Sequence, residues 1–165
     1  MRIKGIQDED FINYKKPSMV VMFPSCTFKC DKEVEQQVCQ NSALAAADDI
    51  EISAFDIVSR YSSNRITKAM VFAGLEPFDS FKDMLVLGSV LRLISHDDIV
   101  IYTGYTEEEI GKMKDENGYY ISQIKKKLSP CVIKYGRFLP NQNKHYDKTL
   151  GVYLASDNQY AKSVD

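Results

Sequence analysis

The 165-residue chain has no long apolar run. A membrane-spanning helix, which takes about 20 predominantly apolar residues, is therefore not expected. Met1-Arg2-Ile3-Lys4-Gly5 leads into no apolar core of a signal peptide, so the chain reads as cytoplasmic. Basic charge is not in excess: 21 Lys and Arg face 23 Asp and Glu, a formal net charge of −2. With no basic stripe, a grip on nucleic-acid phosphates is not expected. There are only 2 histidines, His96 and His145. No Ser/His/Asp set and no paired-carboxylate motif offers catalysis. Repeats, low-complexity tracts and an interdomain linker are missing as well, so the reading is one domain over residues 1–165, long enough to bury a core without staples.

What is present is ordinary in bulk. Hydrophobic residues make up 44% and charged residues 27%, as in a globular protein. The run Lys125-Lys126-Lys127 reads as a solvated helix face. The 4 cysteines are less ordinary, because three of them sit in one short segment, Pro24 to Ser42. In a reducing compartment such thiols point to metal binding or catalysis rather than to disulfides.

Periodicity places that segment. Ser18–Phe23 is an apolar, β-prone run bounded by Pro17 and Pro24, which predicts a buried strand. The residues before Pro17 are mixed and polar, an arm or short edge element. A helix is predicted from Ser53, its N-cap, to Tyr61, with Ile57 and Val58 inward. Lys68–Phe72 is the next strand and ends in the turn Ala73-Gly74-Leu75-Glu76-Pro77. Asp79–Ile94 repeats Phe81, Met84, Leu85, Leu87, Val90, Leu91 and Ile94 at helical spacing. Asp98–Tyr102 is a third strand, closed by Thr103-Gly104-Tyr105, and Thr106 with Glu109 forms a capping box for a helix whose first turn carries Glu107, Glu108 and Glu109. After a break at Asn117-Gly118, a helix carries Ile121, Ile124 and Leu128. Pro130 stops it, and Cys131–Tyr135 is a fourth strand. The tail from Gly136 is loop-rich, with a short strand at Val152–Leu154. Strands alternating with helices give an α/β fold with a mostly parallel sheet and right-handed crossovers. In such folds ligands gather at the carboxyl ends of the strands. The cysteine loop, the Gly74–Pro77 turn and the Thr103–Tyr105 turn all follow strands.

Cys26, Cys30 and Cys39 are too few for a closed four-cysteine zinc site. Three thiolates do suit a cubane iron–sulfur cluster whose fourth iron stays open to another ligand. Zinc with His96 or His145 as fourth ligand is the competing metal reading. Small buried hydrophobes are the bland one, which is how Cys131, inside a predicted strand, is read.

At this point the residues resemble the activating proteins of anaerobic (class III) ribonucleoside-triphosphate reductases, small members of the radical S-adenosylmethionine (SAM) superfamily. The likeness runs in order along most of the chain. It comprises the cysteine loop with Asn41 two residues past its last cysteine, Ala73-Gly74-Leu75-Glu76-Pro77 as the Gly-Gly-Glu-Pro turn, and Ile101-Tyr102-Thr103-Gly104-Tyr105-Thr106. It continues through Tyr135-Gly136-Arg137-Phe138 and Ala155-Ser156-Asp157-Asn158-Gln159. Three departures stand out. The second gap of the usual Cys-x-x-x-Cys-x-x-Cys loop is widened by Asp31 through Val38, Leu75 replaces the second glycine of the turn, and Tyr135 stands where the family has aspartate. Loop length costs little closure entropy, so the widened loop can still close. Glu33 to Gln40 within it is helix-compatible.

The resemblance implies an open, partial (β/α) barrel of five or six strands. It implies a [4Fe–4S] cluster on Cys26, Cys30 and Cys39, and SAM as cofactor near Asn41, Gly74, Leu75, Glu76, Pro77, Thr103 and Tyr105. Backbone carbonyls of the Gly74–Pro77 turn would meet the SAM amino group. Beyond the cluster, no catalytic side chain is implied. The reaction would be reductive cleavage of SAM to a 5′-deoxyadenosyl radical, which takes hydrogen from a glycine of a partner anaerobic ribonucleotide reductase or other glycyl-radical enzyme. A reductant such as flavodoxin or ferredoxin would feed the cluster. A different, small-molecule substrate and a non-catalytic zinc-binding interaction module are the alternatives.

Overall fold

The first two strands, β1 (Arg2–Ile3) and β2 (Gly5–Asp10), precede the apolar strand β3 (Ser18–Phe23) in the computed structural model, which describes residues 1–165. Two short helices follow, α1 (Lys29–Val34) and α2 (Ser42–Ala46), then β4 (Ile50–Glu51), α3 (Ala54–Ser63) and β5 (Ala69–Gly74). A 3₁₀ turn over Pro77–Ser80 runs into α4 (Phe81–Arg92), and then come β6 (Asp98–Tyr102), α5 (Glu107–Lys112), the small pair β7 (Lys114–Asp115) and β8 (Gly118–Tyr119), α6 (Tyr120–Leu128) and β9 (Cys131–Tyr135). The tail holds β10 (His145–Asp147), β11 (Val152–Leu154) and β12 (Tyr160–Val164).

The main sheet has the order β12-β9-β6-β5-β3-β2 and does not close on itself. Its four middle strands run parallel, and β2 and β12 are antiparallel at the two edges. The fold is thus mixed α/β with a mostly parallel central sheet. The middle strands are buried on both faces, one under the crossover helices and the other under the arm and the tail. Alternation sorts their side chains. Met19, Val21, Phe23, Met70, Phe72, Ile99, Ile101 and Ile133 meet α3, α4 and α6 in the larger core. Val20, Val71, Val100 and Val132 form the opposite layer, covered by Tyr14, Leu150 and Leu154. That second face is where the arm 11–16 and the tail lie.

The N-cap at Ser53 and the capping box at Thr106 and Glu109 form as the sequence predicts. The short edge element expected before Pro17 is β2, an edge strand followed by the arm 11–16. Other elements differ. The tail contributes β12, pairing Tyr160–Val164 with β9. Of the helix-compatible stretch Glu33–Gln40 only Glu33 and Val34 are helical, as the end of α1, which stops where Glu35 turns left-handed at φ 52°. Ile94, placed inward by periodicity, is 58% exposed. The helix stops at Arg92, whose guanidinium donates to the carbonyls of Leu128, Pro130 and Asp97 and so turns the chain away from the core. No helix is long and apolar enough to cross a membrane.

Candidate functional site

The carboxyl ends of β3, β5, β6 and β9 share one rim because the strands are parallel and nearly in register. A cavity of about 420 Å³ opens there. Its floor continues the alternation of the sheet. One pleat beyond the valine layer, Met22, Ala73, Tyr102 and Lys134 face inward and border the cavity. Its walls come from the cysteine loop, the turns after β5, β6 and β9, the arm and the β10–β11 hairpin.

Cys26, Cys30, Cys39, Asn41, Gly74, Leu75, Glu76, Thr103 and Tyr105 all border this cavity. Pro77 does not; it is buried at the start of the 3₁₀ turn, where its ring fixes the backbone. Glu76 ties two of the turns together. Its carboxylate, 4% exposed, accepts from Thr103 Oγ1 at 2.8 Å, Gly104 N at 2.8 Å and Phe78 N at 3.1 Å. Burial pushes its pKa up to about 7 against the pull of these donors. Asp79 joins a third loop: it accepts the Tyr105 hydroxyl at 2.6 Å and the Thr27 amide at 2.8 Å. Asn41 Nδ2 donates to the Gly74 carbonyl at 2.8 Å, so this carbonyl of the turn is held by the loop itself. Gly74 has φ +95° and Leu75 is not among the residues with positive φ. The turn needs its glycine at 74 alone, and Leu75 is accommodated without backbone strain.

The widened cysteine loop has a local explanation. Asp31 Oδ1 accepts from the amides of Val38 and Cys39, each at 2.8 Å, and lies 3.8 Å from Cys30 Sγ. The extra residues fold back on their own first member, and the third cysteine returns beside the second. Burial raises the Cys30 thiol pKa, with Cys39 and Asp31 adding to the rise. Burial also pushes the Cys26 thiol up to about 11, opposed by the Phe28 amide and reinforced by Glu76 and Asp79. All three cysteines are half-buried, whereas Cys131 is buried in the core as the sequence predicts. Neither His96 nor His145 borders the cavity. No three His, Cys, Asp or Glu side chains converge closely enough to hold a metal ion as they stand. In kind, the donors fit an iron–sulfur cluster: three soft sulfurs on one loop, no imidazole among them, and the carboxylate beside Cys30, Asp31, occupied by two amides.

The chain matches no protein-family model and no curated protein.

Ion pairs pin the loop from the other side. Arg137 contacts Glu109 at 2.6 Å and Glu33 of α1 at 3.4 Å, and Lys29 contacts Glu109 at 3.1 Å. Burial pushes Glu109 up, but Arg137, the Thr106 amide and Lys29 outweigh it and hold its pKa at about 2. Sequence reasoning missed Asp31, Asp79 and Lys134 as site residues. For Lys134 a signal existed, a charged residue inside an apolar strand, Cys-Val-Ile-Lys-Tyr. For Asp31 and Asp79 no local pattern marks the partners. Asp31→Ala will remove the acceptor for two amides, and charge-assisted bonds of this kind contribute about 1.5–3 kcal/mol when well formed. Hydrogen exchange at Val38 and Cys39 will therefore speed up by about tenfold or more, while the amides of β5 and β6 keep their rates.

Proposed function

We propose that the protein is a radical SAM activase of open, partial (β/α)-barrel architecture, which cleaves SAM reductively to a 5′-deoxyadenosyl radical and installs a glycyl radical on a partner anaerobic ribonucleotide reductase. The observation that carries this reading is that the three-cysteine loop and the turns after β5 and β6 open onto one cavity at the carboxyl ends of parallel strands, where α/β folds place ligands. Cys26, Cys30 and Cys39 would hold a [4Fe–4S] cluster with one open iron, which when bound supplies the electron for cleavage of the sulfonium.

The chain's own residues position and shield. Asp31 brings Cys39 back to Cys30, and Asp79 couples Thr27 of the cysteine loop to Tyr105. Glu76 fixes the turn after β5 to Thr103 and Gly104, so the cofactor-facing edges move as one piece. Asn41 clamps the Gly74 carbonyl and closes the loop over the turn. The arm and the β10–β11 hairpin flank the mouth with exposed apolar side chains: Ile12 is 77% and Tyr153 is 72% exposed. Apolar residues gathered at a cavity mouth favour a protein partner as the cover, with flavodoxin or ferredoxin as electron donor.

The test is anaerobic reconstitution with iron and sulfide, reduction, and electron paramagnetic resonance with and without SAM. A [4Fe–4S]⁺ resonance that changes on adding SAM is expected. Bound zinc and no cluster resonance would overturn the reading.

A further inference from the structure

Three cations border the cavity: Lys29, Lys134 and Arg137. Lys29 and Arg137 are paired with Glu109, and Arg137 also with Glu33. Lys134 has no carboxylate partner. It is 7% exposed, and its ammonium donates to one protein acceptor, the Gly136 carbonyl at 2.7 Å. That carbonyl is shared with Gln159 Nε2 at 3.2 Å. The other polar groups nearby are committed elsewhere. The one carboxylate bordering the cavity, Glu76, accepts from three donors of its own. Tyr102, beneath the ammonium at 5.9 Å from ring centroid to Nζ, turns its hydroxyl to the Asn13 carbonyl at 2.6 Å. Gln159 spends its oxygen on the amides of Ala155 and Ser156.

An ammonium carries three N–H donors, and a buried charge is costly unless paired. Here the chain engages one donor and leaves the charge facing the cavity from its floor. Burial lowers the pKa of Lys134 to about 8, opposed by Glu76, so at neutral pH the cation persists. We infer that Lys134 is an oxyanion-binding residue, which takes the carboxylate or phosphate of the small molecule that fills this cavity. The dimensions set the class of ligand. A volume of about 420 Å³ falls in the range of small-molecule sites, roughly 300–1,000 Å³. An anionic small molecule fits it. The inference concerns the metal-free chain and stands whether or not the cysteines hold a cluster.

The experiment uses the full chain, reduced and metal-free, with carbon-13 at the lysine Cε positions. Inorganic phosphate and acetate are added separately while the nuclear magnetic resonance signal of Lys134, assigned by its absence from Lys134→Met, is followed. A saturable shift with phosphate marks a phosphate site and one with acetate a carboxylate site. Isothermal titration calorimetry with the same anions, which needs no lysine signal, reads the variants: binding would be weakened about tenfold or more in Lys134→Met, the usual scale for losing a hydrogen bond to a charged group. Lys134→Arg, which keeps the charge, will retain binding to within a few-fold and serves if the Met variant does not fold. No shift at Lys134 with either anion, or unchanged anion binding in Lys134→Met, overturns the inference.

Discussion

Alanine at Cys26, at Cys30 or at Cys39 will leave the reconstituted protein without stoichiometric iron and sulfide and without a reduced-cluster resonance, while alanine at Cys131 will leave both intact. The expectation rests on the number and placement of sulfurs. The cavity is bordered by three cysteines, and a cubane cluster with one open iron needs three. Removing one thiolate leaves two, with no imidazole at the cavity to replace it. The loss is expected to be complete rather than graded. The fold will persist, because the loop cysteines are half-buried and lie outside both core clusters. Urea unfolding midpoints of the three variants will stay close to the parent. Cys131 behaves in the opposite way. It is 2% exposed in β9, with its thiol 3.8 Å from the Val164 carbonyl. Alanine there leaves a small void and costs about 1 kcal/mol of stability with no change in iron content. Iron and sulfide analysis beside the spectra checks both halves. A Cys39→Ala protein that still took up a full cluster would show that the fold-back at Asp31 delivers this cysteine to no metal, and the proposed ligand set would be wrong.

The sequence carried all four middle strands, with β5 running Ala69–Gly74 rather than Lys68–Phe72. Ser18–Phe23, Asp98–Tyr102 and Cys131–Tyr135 are strands with the expected ends because each is an apolar run closed by a proline, a threonine–glycine turn or a glycine. Burial on both faces removes any alternation that could blur them. The edge strands were less legible: β2 only as an arm or short edge element, and β12 not at all. Gly5–Asp10 includes Asp8, Glu9 and Asp10, and Tyr160–Val164 leaves most of its side chains exposed, so both pair through backbone groups that any sequence provides. The same division runs through the site. Cysteines, turns and caps are local patterns. The contacts Asp31 to Cys39, Asp79 to Thr27 and Tyr105, and Arg137 to Glu33 and Glu109 join segments that only the fold brings together. Leu75 is the reverse case. The departure from glycine looked consequential in the sequence, and the backbone shows that only Gly74 carries the positive φ.

Gly74→Ala will therefore be the most destabilising single methyl addition at the site, and Leu75→Gly will be nearly silent. At Gly74 two costs coincide. Its φ of +95° is a conformation that L side chains rarely adopt, which costs about 1–2 kcal/mol. An added Cβ would also lie 2.6 Å from Phe23 N and 2.8 Å from Met22 Cα. Those are backbone atoms of the neighbouring buried strand, so no flexible side chain can swing away, and separating the strands would break the parallel register of β3 with β5. Together the loss is expected to reach at least about 3 kcal/mol, a large share of the roughly 5–15 kcal/mol by which domains are stable. With a urea slope of about 2 kcal/mol/M, the midpoint falls by about 1.5 M. Leu75→Gly removes a half-buried side chain from a turn whose backbone is already relaxed, and its midpoint will move by less than about 0.5 M on the same slope. The pair of variants also separates fold from site. Asn41 donates to the carbonyl of Gly74, so any surviving Gly74→Ala protein will release Asn41 and expose the return of the cysteine loop to exchange. Equal midpoints for the two variants would mean that β3 and β5 do not cross as closely as Gly74 requires, and the turn that Glu76 and Asn41 brace would lose its geometric basis.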